Sequence, residues 1–206
     1  MSKTRPGRLF ELVGGHAALD LVNTLDWRFR KSGPDELLAG YNDLVDFAAQ
    51  AELMTPKQAT QLVHAWSGAQ GDRVLDGARA LREALSELAY ATIDGRNPSD
   101  PSLPILEKFF QATRAQTRLA RDGRGLKWVW VSGAETKAEF PLWLLARSAS
   151  RLMFSGDVNL IRACGNQECR WLFLDTSKNH TRRWCDMKIC GNRVKARRFR
   201  ASHSSD

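Results

Sequence analysis

All four cysteines of this chain lie in its last fifth, as Cys164-x4-Cys169 and Cys185-x4-Cys190 with fifteen residues between the pairs. Two close pairs from separate stretches can supply four thiolates to one tetrahedral Zn2+, and a site closed by four cysteines leaves no open coordination position. The metal is therefore expected to fold this segment rather than to catalyse. The competing reading is a pair of disulfides, or buried thiols with no partner. Disulfides persist mainly in oxidising compartments, and the stretch Met1 to Glu11 lacks the unbroken apolar core of a secretory signal. A reducing cytoplasm is the expected location. No membrane partner is expected either, since the apolar run from Phe140 to Ala146 is too short to span a bilayer and ends at Arg147.

The net charge of +8 is unevenly distributed. From Leu160 to Asp206 there are eleven Lys and Arg against four Asp and Glu, while residues 1–159 hold twenty against nineteen. Nearly all the excess sits beside the cysteines. A basic patch on a small metal-folded module points to a polyanion, with nucleic acid the first candidate. Solvated charge that only keeps the protein soluble is the alternative.

Upstream, hydrophobic periodicity is helical almost throughout. Ala18, Leu21, Val22 and Leu25 mark one apolar face, with His16, Asp20, Asn23 and Trp27 on the other side. Leu37, Leu38, Tyr41, Leu44, Val45 and Ala48 mark a second helix, interrupted by Gly40. Thr55-Pro56-Lys57-Gln58 is a helix start with a cap, a proline at the first turn and a glutamine that reaches back. Gly68 to Gly71 breaks the pattern before a long helix from Val74 to about Gly95, and a shorter helix spans about Leu103 to Thr113. Asp122-Gly123 and Gly125 supply turn chemistry for a hairpin, whose residues Leu126, Trp128 and Trp130 share a face expected to pack on the helices. A last helix runs from Pro141 to Phe154. The expected fold class is thus a mainly α N-terminal domain with a small β-hairpin, residues 1–157, and a small C-terminal four-cysteine zinc-finger module, residues 158–206. That module reads as a knuckle, short strands in which Trp171 and Phe173 cover the metal, and a basic helix capped by Asn192.

The strings Cys164-Gly-Asn-Gln-Glu-Cys169, Trp171-Leu-Phe-Leu-Asp175, Arg182-Arg-Trp-Cys185-Asp-Met187 and Cys190-Gly-Asn-Arg193-Val-Lys-Ala-Arg197-Arg198 resemble the CGNR zinc finger. Gly14-Gly15, Leu19-Asp20 and Asn23-Thr24 head a region similar to the ABATE domain, which precedes that finger in bacterial proteins described as stress-induced transcription regulators. The resemblance implies Zn2+ held by Cys164, Cys169, Cys185 and Cys190, and DNA binding by the finger.

Among the basic residues, Arg193, Arg197 and Arg200 fall one above another on a helix, with Lys195 and Arg198 on adjoining faces. Such a helix can lie along a major groove, contacting phosphates and reading bases. Arg182 and Arg183 flank the metal and are either phosphate clamps or partners for Asp175 and Asp186. Trp171 and Trp184 admit a single-stranded RNA reading through base stacking, although indoles beside a small metal site more often shield it. His180 lies between the pairs, but four thiolates make it unnecessary as a ligand. His16, Asp20, Asn23 and Thr24 converge on one helical stripe and are the candidates for holding a small-molecule effector. The opposing reading is that they cap helices and satisfy buried backbone groups. With no nucleophile motif, phosphate loop or catalytic metal triad, the chain is not expected to be an enzyme. The expected activity is zinc-dependent DNA binding in transcription control. The alternatives are an RNA-binding zinc module, and a ligand-binding protein or enzyme whose finger mediates protein contact. A homo-oligomer is compatible with the sequence.

Overall fold

The computed structural model describes residues 8–196. Six α-helices among these residues surround one main core, with a further helical stretch over 192–196, and three two-stranded antiparallel sheets decorate it. The order is α1 (Ala17–Asn23), β1 (Leu25–Asp26), β2 (Asp35–Glu36), α2 (Tyr41–Gln50), α3 (Pro56–Trp66), α4 (Ala69–Ile93), α5 (Ser102–Ala115), β3 (Thr117–Asp122), β4 (Gly125–Trp130), α6 (Phe140–Met153), β5 (Ile161–Ala163) and β6 (Leu172–Leu174). No helix among the described residues is long and apolar enough to cross a membrane.

Short α1 is the central element, buried from Ala18 to Asn23 and packed on α4, α6 and β6. Leu19, Leu21, Leu44, Phe47, Leu81, Leu85, Leu145 and Leu152 form the heart of the core. An ion-pair network around the buried Arg82 ties β2 to α4. Arg82, only 3% exposed, makes two 2.7 Å bonds to Glu36 and one of 2.9 Å to Glu83, which in turn pairs with Arg28. Planar bidentate geometry of this kind is what lets a buried guanidinium keep its charge.

The start of α3 matches the sequence: Thr55 Oγ1 accepts from the Gln58 amide and Gln58 Oε1 accepts from the Thr55 amide, with Pro56 at the first turn. Three expectations are corrected. Gly40 does not interrupt α2 but caps it, because the Asp43 carboxylate accepts from the amides of both Ala39 and Gly40 and leaves Leu37 and Leu38 outside the helix. Helix α4 begins at Ala69 and runs through Gly71, where a Cβ would meet the Trp66 carbonyl at 2.4 Å and the Tyr41 ring at 2.7 Å; the glycine marks a close approach and not a break. The β3–β4 hairpin forms, paired from Thr117↔Trp130 to Asp122↔Gly125, but only Trp130 packs inward, edge-on to Phe140. Leu126 stays 68% exposed, and Trp128 stays 46% exposed with Arg114 of α5 stacked over its ring.

Candidate metal centre and nucleic-acid interface

The metal centre is assembled around β6. Alternation along a strand sends successive side chains to opposite faces. Trp171 and Phe173 face the four cysteines, with Val13, Trp27, Trp184 and Ile189 packed around them, while Leu172 and Leu174 join the main helical core. Strand β5 pairs with β6 in the register Ile161↔Leu174 to Ala163↔Leu172, so Ile161 is in that core too.

The first pair of cysteines sits on a tight turn. The Cys169 and Arg170 amides donate to the Asn166 carbonyl at 3.0 and 2.9 Å, and Arg170 closes the turn in the left-handed region at φ 48°. In the second pair Cys185 stands just before Asp186, and Cys190 lies on a single π-helical turn, Met187–Gly191, whose cap is Asp186: its carboxylate accepts from the Lys188 and Ile189 amides at 2.6 and 3.0 Å. At Gly191, after Cys190, the Met187 side chain folds close, its Sδ 2.5 Å from where a Cβ would stand. The chain continues as helix over 192–196. Asp186 therefore does the capping assigned above to Asn192, which is itself helical with φ −66° and ψ −37°.

All four cysteines are buried and unlinked, with their Sγ atoms within 4.8 Å of one another. Cys169 and Cys185 Sγ lie 3.9 Å apart. A disulfide requires about 2.05 Å, whereas Zn–S bonds of about 2.3 Å at tetrahedral angles place sulfurs about 3.8 Å apart. The donor set, its enclosure and its spacing all fit Zn2+. Donors also converge on the sulfurs: Asn166 Nδ2 lies 3.6 Å from Cys190 Sγ, and the Trp171 amide 3.5 Å from Cys169 Sγ. Such bonds stabilise thiolate charge and orient ligands. His180 is not in the cluster, since its Nδ1 lies 2.8 Å from the Asp175 carbonyl oxygen. Asn166 was missed in the sequence reading, although the repeated triplet Cys-Gly-Asn, at 164–166 and 190–192, was there to be noticed.

The candidate nucleic-acid residues separate into distinct environments. Arg182 turns inward: its guanidinium donates to the carbonyls of Val13, Leu174, Trp184 and Cys185 and stacks over Phe173 at 4.2 Å. It braces the metal centre, and its donors are spent before any phosphate arrives. Arg183 is exposed, 5.7 Å over Trp184. Arg193 is exposed too and lies 4.7 Å over Trp27, a residue at φ 49° in the loop after β1. Lys195 is exposed, as is Lys188, which the sequence reading did not single out. Arg197, Arg198 and Arg200 lie outside the described residues.

The four candidate effector residues do converge, but on the protein's own backbone. His16 caps α1, its Nδ1 accepting from the Ala18 amide at 3.2 Å; burial holds the imidazole below its usual range, against the opposing pull of Asp157. Asp20 Oδ1 accepts from the Gly14 amide at 2.7 Å, and burial pushes its carboxyl up to about 6 despite the amides of Gly14 and Val13. Asn23 clasps Leu172 of β6 from both sides, donating to its carbonyl at 3.0 Å and accepting from its amide at 2.8 Å. Thr24 donates to the Leu21 carbonyl at 2.6 Å and receives Arg82 at 3.3 Å. Asp20, Asn23 and Thr24 line a space of about 10 Å³, no more than a single water needs. Every one of these side chains already has a structural partner, which favours the capping reading over an effector site.

The family described as "putative stress-induced transcription regulator", ABATE, matches residues 15–156, and the CGNR zinc finger matches residues 161–203. No curated protein matches the chain.

Proposed function

This chain belongs to the ABATE family and carries a CGNR zinc finger after it, and from that premise we propose that it is a DNA-binding transcription regulator that works by binding and not by turnover. The observation that carries this reading is the way the metal centre launches a cationic helix. The cap at Asp186 and the turn ending at Gly191 fix the direction of residues 192–196, which present Lys195 to solvent and lead into Arg197, Arg198 and Arg200. Zinc supplies no chemistry beyond rigidity: four thiolates close its coordination. Arg183, Lys188 and Lys195 contact phosphates, while the finger's helix follows a groove. Arg193 has two duties, holding the helix against Trp27 and facing the DNA. In this reading residues 1–157 are the regulatory unit and residues 158–206 the DNA-contacting one, and the buried unpaired thiols suit a reducing cytoplasm. His16 caps α1 and Asp20 holds the turn at Gly14, structural roles that support binding over catalysis.

Duplex DNA titrated over a salt series tests the proposal. The logarithm of affinity falls linearly with the logarithm of salt, and Arg197→Ala/Arg198→Ala together with Lys195→Ala makes that slope shallower by about two to three phosphate contacts. Affinity that ignores salt, or that survives the triple replacement, rules out a phosphate-tracking helix. Preferential binding of single-stranded RNA favours the alternative carried by Trp184.

A further inference from the structure

Beyond the finger, one cavity combines enclosure, apolar walls and uncompensated charge. It lies between α5, the β3–β4 hairpin and α6, measures about 190 Å³ and is lined by Phe110, Thr113, Arg114, Trp128, Arg147 and Arg151 among others. The 690 Å³ groove beside the first knuckle is larger, but its charges are already matched: Arg28 pairs with Glu83, Arg96 with Glu87 and Arg170 with Asp94. The three guanidinium groups at the α5–α6 cavity pair with no carboxylate among the described residues. Arg147 and Arg151 stand one turn apart on α6, an arrangement in which like charges repel. Burial, and then Arg151, press the Arg147 pKa below its ordinary value. Arg114 is held in place, stacked 3.4 Å over Trp128 and bonded to the Thr117 carbonyl and hydroxyl oxygens at 3.2 and 3.3 Å. Thr113, 4% exposed, carries a hydroxyl with no hydrogen-bond partner. A buried polar group left unpaired is costly, so its presence beside a cavity points to a ligand.

We propose that this cavity is a binding site for a small organic monoanion built of one aromatic ring and a carboxylate. The guanidinium fork matches a carboxylate in shape and charge, Phe110 and Trp128 offer ring surfaces, and the volume is below that of drug-sized pockets, enough for a single ring. Inorganic phosphate would satisfy the arginines but leave the aromatic walls unused. The site lies within the stretch matched by the ABATE family. The inference does not depend on DNA binding, because the ligand is measured without DNA.

The zinc-loaded full chain is titrated calorimetrically with benzoate, phenylacetate, benzamide and inorganic phosphate. The two carboxylates bind one per chain, about tenfold or more tighter than neutral benzamide or phosphate, as expected for charge-assisted hydrogen bonds. Arg147→Met/Arg151→Met weakens benzoate by about tenfold or more at unchanged zinc content and melting temperature, and Thr113→Val weakens it to a smaller degree. In the unsubstituted protein the Trp128 indole proton resonance moves with benzoate while that of Trp184 does not. Equal affinity for benzoate and benzamide, phosphate binding as tight as benzoate, an unaffected double variant, or a Trp184 shift without a Trp128 shift overturns the proposal.

Discussion

Asp20 shows how one side chain can hold a structure together and still burden it. It caps the turn at Gly14 from within the core, and its carboxyl is raised to about 6. A folded-state value above the unfolded one, near 3.8, means the native protein binds more protons between those values. That contribution to stability is complete below the unfolded value and is lost as pH rises through about 6. The unfolding free energy of the wild type minus that of Asp20→Asn is therefore expected to fall by about 2–3 kcal/mol from pH 4 to pH 7. Chemical denaturation of both proteins at each pH measures it, and a difference that stays flat contradicts the assignment. Subtracting the variant cancels the acid loss of metal common to both. At this scale the sequence was legible where residue type forces the answer. Four clustered cysteines admit few arrangements, and Thr55 to Gln58 can only begin a helix. It was illegible where a polar side chain had two uses: the helical spacing of His16, Asp20, Asn23 and Thr24 predicted convergence, but not that the backbone would be waiting for them. Arg182 likewise had two uses, since arginine satisfies carbonyls as readily as phosphates, and its guanidinium donates to four carbonyls.

Between elements, the junction of α1 with β6 carries the most weight. Asn23 bonds both backbone groups of Leu172, the Gly14 carbonyl takes the Leu174 amide at 2.8 Å, and Tyr90 Oη of α4 donates to the Arg170 carbonyl at 2.8 Å. The outer edge of β6 is thereby closed by helix and loop in place of a third strand. Replacing Asn23 by Ala strands a buried donor and a buried acceptor, which costs about 2–4 kcal/mol; equilibrium unfolding in urea with zinc present reads this directly, and a loss under 1 kcal/mol would show that the clasp is dispensable. The elements themselves were mostly visible in the apolar periodicity. Their termini were less so, because Gly40 and Gly71 look alike in sequence, yet one caps a helix and the other lets α3, α4 and Tyr41 approach. The hairpin's exposed Leu126 and Trp128 were unreadable because alternation reports which residues share a face, not whether anything covers that face.

For the whole molecule, helical core and metal centre share strand β6 and so share stability. Ile161, Leu172 and Leu174 contribute to the same core as α1, α4 and α6, and each fully buried aliphatic side chain is worth about 1.5–3 kcal/mol. Stripping zinc releases the thiolates, the β5–β6 pair and that share of the core together. The protein is expected to contain one zinc per chain, and chelation is expected to lower the melting temperature of the far-ultraviolet helical signal by about 10 °C or more. A helical transition indifferent to chelation would mean the two parts fold separately. Beads-on-a-string reasoning from cysteine spacing and charge could not have shown this dependence, since it rests on contacts between residues about 150 positions apart, such as Asn23 and Leu172.

The two-sided character of β6 restricts how such a protein can change over generations. Deleting or inserting a single residue between Arg170 and Asp175 would rotate the strand by half its period, swinging Trp171 and Phe173 into the helices and the leucines onto the sulfurs. Both compartments would be ruined by one lesion. The tail is thus no cassette to be shuffled onto foreign partners: lineages must inherit the four residues from Trp171 to Leu174 in step with α1.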